Sequence, residues 1–193
     1  MINTMGLHRL ANPLQRRFAR RYAAHAMLGC CLLTAACTGN AVRSGGVVRT
    51  PLLASDFPIS AAVTVPSGYD TVFVSGALPP VINKDAPKGT VAAYGDTQTQ
   101  TVGALTSIKA TLARLGLGFG DVVKMTVFMV ADPSKDNKLD FAGLMAGYTQ
   151  FFGTADQPNK PARSAVQVAA LVAPGALVEI EVIAAKPPAA AAH

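Results

Sequence analysis

"DVVKMTVFMVAD", Asp121–Asp132, contains a nine-residue run, Val122 to Val130, in which only Lys124 and Thr126 are polar. A run of that length, rich in valine and closed by aspartates, reads as a strand. It is apolar on both faces, so both must be covered. On its N-terminal side, Asp96 is placed to cap a helix whose Val102, Leu105, Ile108, Leu112 and Leu115 step by three or four, with Gly116 to stop it. On its C-terminal side a second amphipathic helix is expected over 139–152, with Phe141, Leu144, Met145, Tyr148 and Phe152 on one stripe and Gly153 after it.

Further out lie four shorter strand-like runs. Ala61 to Val65 and Thr71 to Ser75 are joined by "PSGYD", a turn-rich link that suits a hairpin. Ser164 to Ala169 and Leu177 to Ala184 are joined by "ALVAPGA" and suit a second one. The order β-β-α-β-α-β-β predicts an α+β domain with a mixed sheet and both helices on one face. About 130 folded residues leave nothing to cover the other face, so the central strand predicts self-association. The segment Gly76 to Asp96 has three prolines and no sustained period. It is either a loop over a site or a surface insertion.

The net charge of +6 suggests nucleic acid or a membrane until it is located. Residues 1–36 hold five arginines (Arg9, Arg16, Arg17, Arg20, Arg21) and no acid, which leaves 12 basic against 11 acidic residues elsewhere. The domain itself has no electrostatic footprint for nucleic acid. The basic stretch is followed by an apolar run, Tyr22 to Ala36, and small residues. That is the layout of an export signal, shorter than the roughly 20 apolar residues of a membrane span. "LLTAAC", Leu32 to Cys37, resembles a bacterial lipobox with Thr34 in the place where leucine is favoured. Lipidation of Cys37 and plain cleavage near Ala36 both remain open. The chain is therefore divided into an export signal at 1–37, a tether at 38–54, a domain at 55–185 and a frayed tail at 186–193.

Cys30, Cys31 and Cys37 all lie in or beside the leader; His8 and His25 lie in it, and His193 ends the tail. The inventory of the domain excludes disulfides, thiol nucleophiles, histidine-dependent triads and the usual zinc sites. Its only glutamates, Glu179 and Glu181, share one face of the last strand. Arg163, at the start of the strand before it, would approach them in a hairpin, or approach the pair of a neighbouring subunit. A guanidinium can hold a carboxylate through two parallel bonds, and a glutamate can orient or deprotonate water. A purely structural Arg–Glu pair, or glutamates facing solvent, is the plainer alternative.

"VSGALP" (Val74–Pro79), "GFGDVVKMTVFMVAD" (Gly118–Asp132), "DFAGLMAGYTQFFG" (Asp140–Gly153) and "PARSAVQVAALVAPGALVEIEVIAA" (Pro161–Ala185) resemble the RidA family, also called YjgF/YER057c/UK114, in order and spacing. The resemblance implies a chorismate-mutase-like fold, a homotrimer with sites in the clefts between subunits, and hydrolysis of reactive enamines or imines to 2-keto acids and ammonia, with no metal or organic cofactor. On this reading Arg163 grips the substrate carboxylate, Glu179 positions the attacking water, and Ser75, Gly76 and Ala165 line the ligand. The sequence departs from archetypal members at Ile59 (tyrosine), Ala77 (glutamine), Met145 (asparagine) and Ala165 (cysteine). These changes point to a greasier ligand, or to a carboxylate-binding module without catalysis. An export signal separates the chain from the cytoplasmic source of the family's substrates and predicts a periplasmic protein tethered only by lipid.

Overall fold

The computed structural model describes residues 46–189. The expected export signal, Cys37, the first part of the tether and the last four residues lie outside the described residues.

Among the described residues, six strands form one mixed sheet in the order β1-β2-β5-β4-β6-β3. They are β1 (Val48–Pro51), β2 (Ser60–Thr64), β3 (Asp70–Ala77), β4 (Val122–Met129), β5 (Ala162–Gln167) and β6 (Val178–Lys186). The α-helices among the described residues are a single turn, α1 (Val91–Tyr94), and the longer α2 (Thr97–Arg114) and α3 (Phe141–Tyr148). The α+β class, the mixed sheet and the packing of α2 and α3 against one of its faces are as the sequence predicts.

Neither expected hairpin forms. β4 lies between β5, parallel to it, and β6, antiparallel to it. The strand with the greatest need for cover thus takes a central place and separates the two closing strands. β2 pairs with β1, while β3 pairs with β6 at the far edge. The expected tether therefore includes a strand. β1 is four residues long and exposed, and it carries too little apolar pattern to read as one. The segment 76–96 is also more ordered than expected, since Ile82 and Asn83 donate backbone bonds to Ala93 O of α1.

The core lies between the sheet and the helices. Met125, Val127 and Met129 of β4, with Val178 and Ile180 of β6, are fully buried against Leu105, Ile108 and Leu112 of α2 and Leu144 and Tyr148 of α3. Each such side chain contributes about 1.5–3 kcal/mol. Asp96 caps α2 as predicted, its carboxylate accepting from Thr99 N at 2.8 Å. Gly116, at φ +72°, closes the helix. Leu117 N reaches Leu112 O and Gly116 N reaches Ala113 O, a paired C-terminal cap that satisfies the last carbonyls. Leu115, expected on the buried stripe, is 43% exposed, because the helix ends there and the chain turns away.

Among the described residues, no helix covers the opposite face of the sheet. Phe73, level with Ile183, is 77% exposed there, and Val166, level with Phe128, is 44% exposed. β2 meets β5 only at Ser60↔Ala162, which leaves the outer edge of β5 beyond Ala162 without a partner among the described residues.

Candidate active site

Arg163 is level with Met125 of β4, so its side chain leaves the sheet on the helix side. There it enters a box of aromatic rings. Its guanidinium carbon is 4.3 Å from the centroid of Tyr148, 5.4 Å from that of Phe57 and 5.9 Å from that of Phe141. Phe57 and Phe141 stack on each other at 6.1 Å, and Tyr148 stacks on Phe152 at 4.9 Å. Nη2 donates to Met145 Sδ at 3.3 Å, while Nη1 is buried with no acceptor among the described residues. Burial pulls the arginine pKa down, and Tyr148 opposes this. A guanidinium remains charged under such a shift. The Tyr148 hydroxyl donates to Pro58 O at 2.8 Å. Burial pushes its pKa up, against a smaller opposing pull from Arg163, so this hydroxyl stays protonated and is no base.

The box thus offers the cation π faces and a thioether but no oxygen. An unpaired donor in a buried site costs about 1–3 kcal/mol or more when it belongs to a charged group. A carboxylate arriving at Nη1 would remove that cost with a charge-assisted bond.

Glu179 lies on the other face of the sheet. It is level with Phe128 of β4 and flanked by the fully buried Val178 and Ile180, which point the opposite way. Its neighbour is a bulge in β3. Val74 pairs with Val182 and Ala77 with Ile180, so Ser75 and Gly76 share the space of one residue. The Glu179 side chain lies over that bulge. A Cβ on Gly76 would collide with Glu179 Oε1 and stand 2.9 Å from its Cδ and 3.1 Å from its Cγ. Glycine at 76 is what admits the carboxylate.

The structure therefore brings Glu179 together with Gly76 and Ser75, and places Arg163 elsewhere. One strand intervenes and the two residues differ by three positions along it. At strand geometry their Cα atoms are roughly 14 Å apart, with side chains on opposite faces. The predicted approach of Arg163 to the acidic pair within a hairpin is corrected accordingly: the hairpin does not exist. Ala165 is on the helix side and packs against the core, as do Ile59 and Ala77 in part. Among the described residues, cavities of about 220, 430 and 310 Å³ open on the surface, and neither Arg163 nor Glu179 lines these.

Phe57, and the role of Phe141 and Tyr148 around the arginine, were not legible as site features. The two α3 residues read as a core stripe, and their spacing of seven, which puts both on the side facing β5, was the available signal.

A family model described as "Endoribonuclease L-PSP" matches residues 54–186. The RutC family protein of Pyrococcus abyssi is 36% identical over 129 residues, covering 67% of this chain and 87% of that protein. The chain belongs to the RidA family. Another RidA relative, "Putative reactive intermediate deaminase TdcF" of Escherichia coli K12, is 38% identical over 115 residues, 60% of this chain and 78% of that one. Among solved structures, the Rid protein YyfB of Yersinia pestis superposes over 72% of this chain and 98% of its own with a TM-score of 0.54 at 23% identity, a likeness of fold. The RidA match begins at residue 54, so β1 precedes it and adds an edge strand to the matched region.

Proposed function

We propose that this protein hydrolyses reactive enamine or imine intermediates of carboxylic acids to 2-keto acids and ammonia, in sites completed between subunits of a homotrimer. The observation that carries this reading is the buried Arg163 Nη1, held in a box without an oxygen acceptor. The substrate carboxylate supplies the missing acceptor. A protonated imine carbon is already electrophilic, so placement of a water is the main requirement. Glu179 accepts a proton as the water oxygen bonds to that carbon. Glu179 then returns the proton to nitrogen, ammonia leaves as the C–N bond breaks and the C=O bond forms, and the hydroxyl proton is released to the departing ammonia, giving the keto acid and ammonium with Glu179 again a carboxylate.

Since Arg163 and Glu179 leave the sheet on opposite faces, a single chain does not present both to one ligand. The exposed Phe73 and Val166 supply an apolar surface for neighbouring chains, which supports the trimer. The family name's endoribonuclease reading is disfavoured by a region after the leader with 12 basic and 11 acidic residues. Export and lipid attachment at Cys37 complete the proposal and place the reaction in the periplasm. A membrane fraction that loses the protein in a Cys37→Ser variant supports the tether; unchanged retention rejects it.

One observation favours a second reading, a carboxylate-binding module without turnover. Met145 Sδ occupies Arg163 Nη2, the donor that would hold the second carboxylate oxygen. The deciding assay measures keto-acid release from imino acids generated in place by an amino-acid oxidase. Acceleration that disappears in Arg163→Ala establishes the enzyme. Carboxylate binding that disappears in the same variant without any acceleration establishes the module.

A further inference from the structure

A second cationic site lies on the helix side of the sheet, beyond Phe57. Arg49 of β1 is held by Nη2, which donates to Gly120 O at 2.8 Å and Val122 O at 3.1 Å. Its Nε is buried with no acceptor, and its Nη1 makes no hydrogen bond, among the described residues. The guanidinium lines a cavity of about 220 Å³ together with Lys160, Ser55, Asn159, Phe57 and Ile59. No acidic residue lines it. Asp121 acts on Arg49 electrostatically, but its carboxylate is engaged by Gly118 N at 2.8 Å. Burial lowers the Arg49 pKa more strongly than Asp121 raises it, as expected for a cation short of counter-charge.

Two like charges in one cavity repel unless an anion lies between them. The remaining lining sorts in the same sense: hydroxyl and amide donors at Ser55 and Asn159, and apolar surface at Phe57 and Ile59. We propose that this cavity is a second anion-binding site, taking a small organic anion whose carboxylate or phosphate head lies between Arg49 Nη1 and Lys160 and whose short hydrocarbon body lies on Phe57 and Ile59. The volume equals about seven waters, which suits a four-carbon body. Phe57 is shared with the Arg163 box, where the guanidinium carbon lies 5.4 Å from its ring centroid, so an occupant touches the wall of the first site without entering it.

The test is calorimetric and independent of turnover. Butyrate and butyl phosphate are titrated into the Arg163→Gln protein, which removes the competing guanidinium. One equivalent per chain of either probe is expected to bind, and the probe that binds identifies the head group. Adding Ser55→Asp, which supplies a counter-charge at an exposed position and leaves the Arg49 anchors intact, is expected to weaken binding at least about tenfold; Lys160→Gln is expected to weaken it about threefold. Loss of all binding in Arg163→Gln, with circular dichroism unchanged, overturns the proposal, because the anion site is then Arg163 alone. Binding unaffected by both Ser55→Asp and Lys160→Gln overturns it as well.

Discussion

Replacing Gly76 by alanine adds one methyl group where Glu179 now lies. Gly76 is not among the residues with positive φ, so its backbone accepts alanine. The collision is with the carboxylate: Glu179 Cδ would stand 2.9 Å from the new Cβ. Ordinary carbon contact is about 3.5–4.0 Å. The carboxylate must therefore withdraw by roughly 0.6–1.1 Å, which a half-buried side chain on an open face does by rotating, at a cost of about 1 kcal/mol. Misplacement of a catalytic group by about 1 Å costs on the order of 100-fold in rate. The expected outcome is a kcat for imine hydrolysis reduced about 100-fold, with KM nearly unchanged and Tm within a few degrees of the wild type, measured by keto-acid release and calorimetry. Glu179→Gln should reproduce the kcat loss without the methyl group. Full activity in Gly76→Ala, from a protein whose Tm is unchanged, would refute the assignment of the water to Glu179.

Phe73→Asp places a charge at a position 77% exposed in the single chain, so secondary structure should persist while sedimentation velocity shows monomer in place of the proposed trimer. Gln100 is fully buried, accepting from Leu177 N at 2.6 Å and donating to Gly95 O at 2.9 Å and Gly175 O at 3.3 Å. Gln100→Leu strands these groups and should destabilise by about 3 kcal/mol, a fall in Tm on the order of 10 °C by calorimetry. The bond from Thr99 N, followed by the Thr99 side chain, depresses the Asp96 pKa below its unfolded value. That stabilisation is complete above the unfolded value and is lost as pH falls through the folded one. Asp96→Ala should cost about 1 kcal/mol near neutrality, and denaturant melts of wild type and variant should converge in acid.

The helices and the central strand were legible because their periods are long: Asp96 and Gly116 mark boundaries that the structure keeps, while the second helix is shorter than its 139–152 stripe, running Phe141–Tyr148 behind an Asp140 cap that was not read. Strand partnership was not legible. Hydrophobic pattern tells which face of β5 is buried, but not that β4 stands between β5 and β6. The link "PSGYD" has hairpin chemistry and yet joins strands that never pair, because pairing is settled by competition for the central place. For the site, residue type singled out Arg163 and the pair Glu179 and Glu181, and the family resemblance chose Glu179 between them. The box around the arginine was hidden, since Phe57 lies before β2 and Phe141 and Tyr148 on α3, and their convergence on Arg163 of β5 joins three separate segments.

The opposite projection of Arg163 and Glu179 has a genetic corollary. If each site takes its arginine from one chain and its glutamate from the next around a closed ring, two inactive alleles, Arg163→Ala and Glu179→Gln, complement one another. Any ring that contains both kinds of chain holds one site with both residues intact. Co-expression would restore part of the activity, whereas mixing separately assembled trimers would restore it only as fast as their subunits exchange.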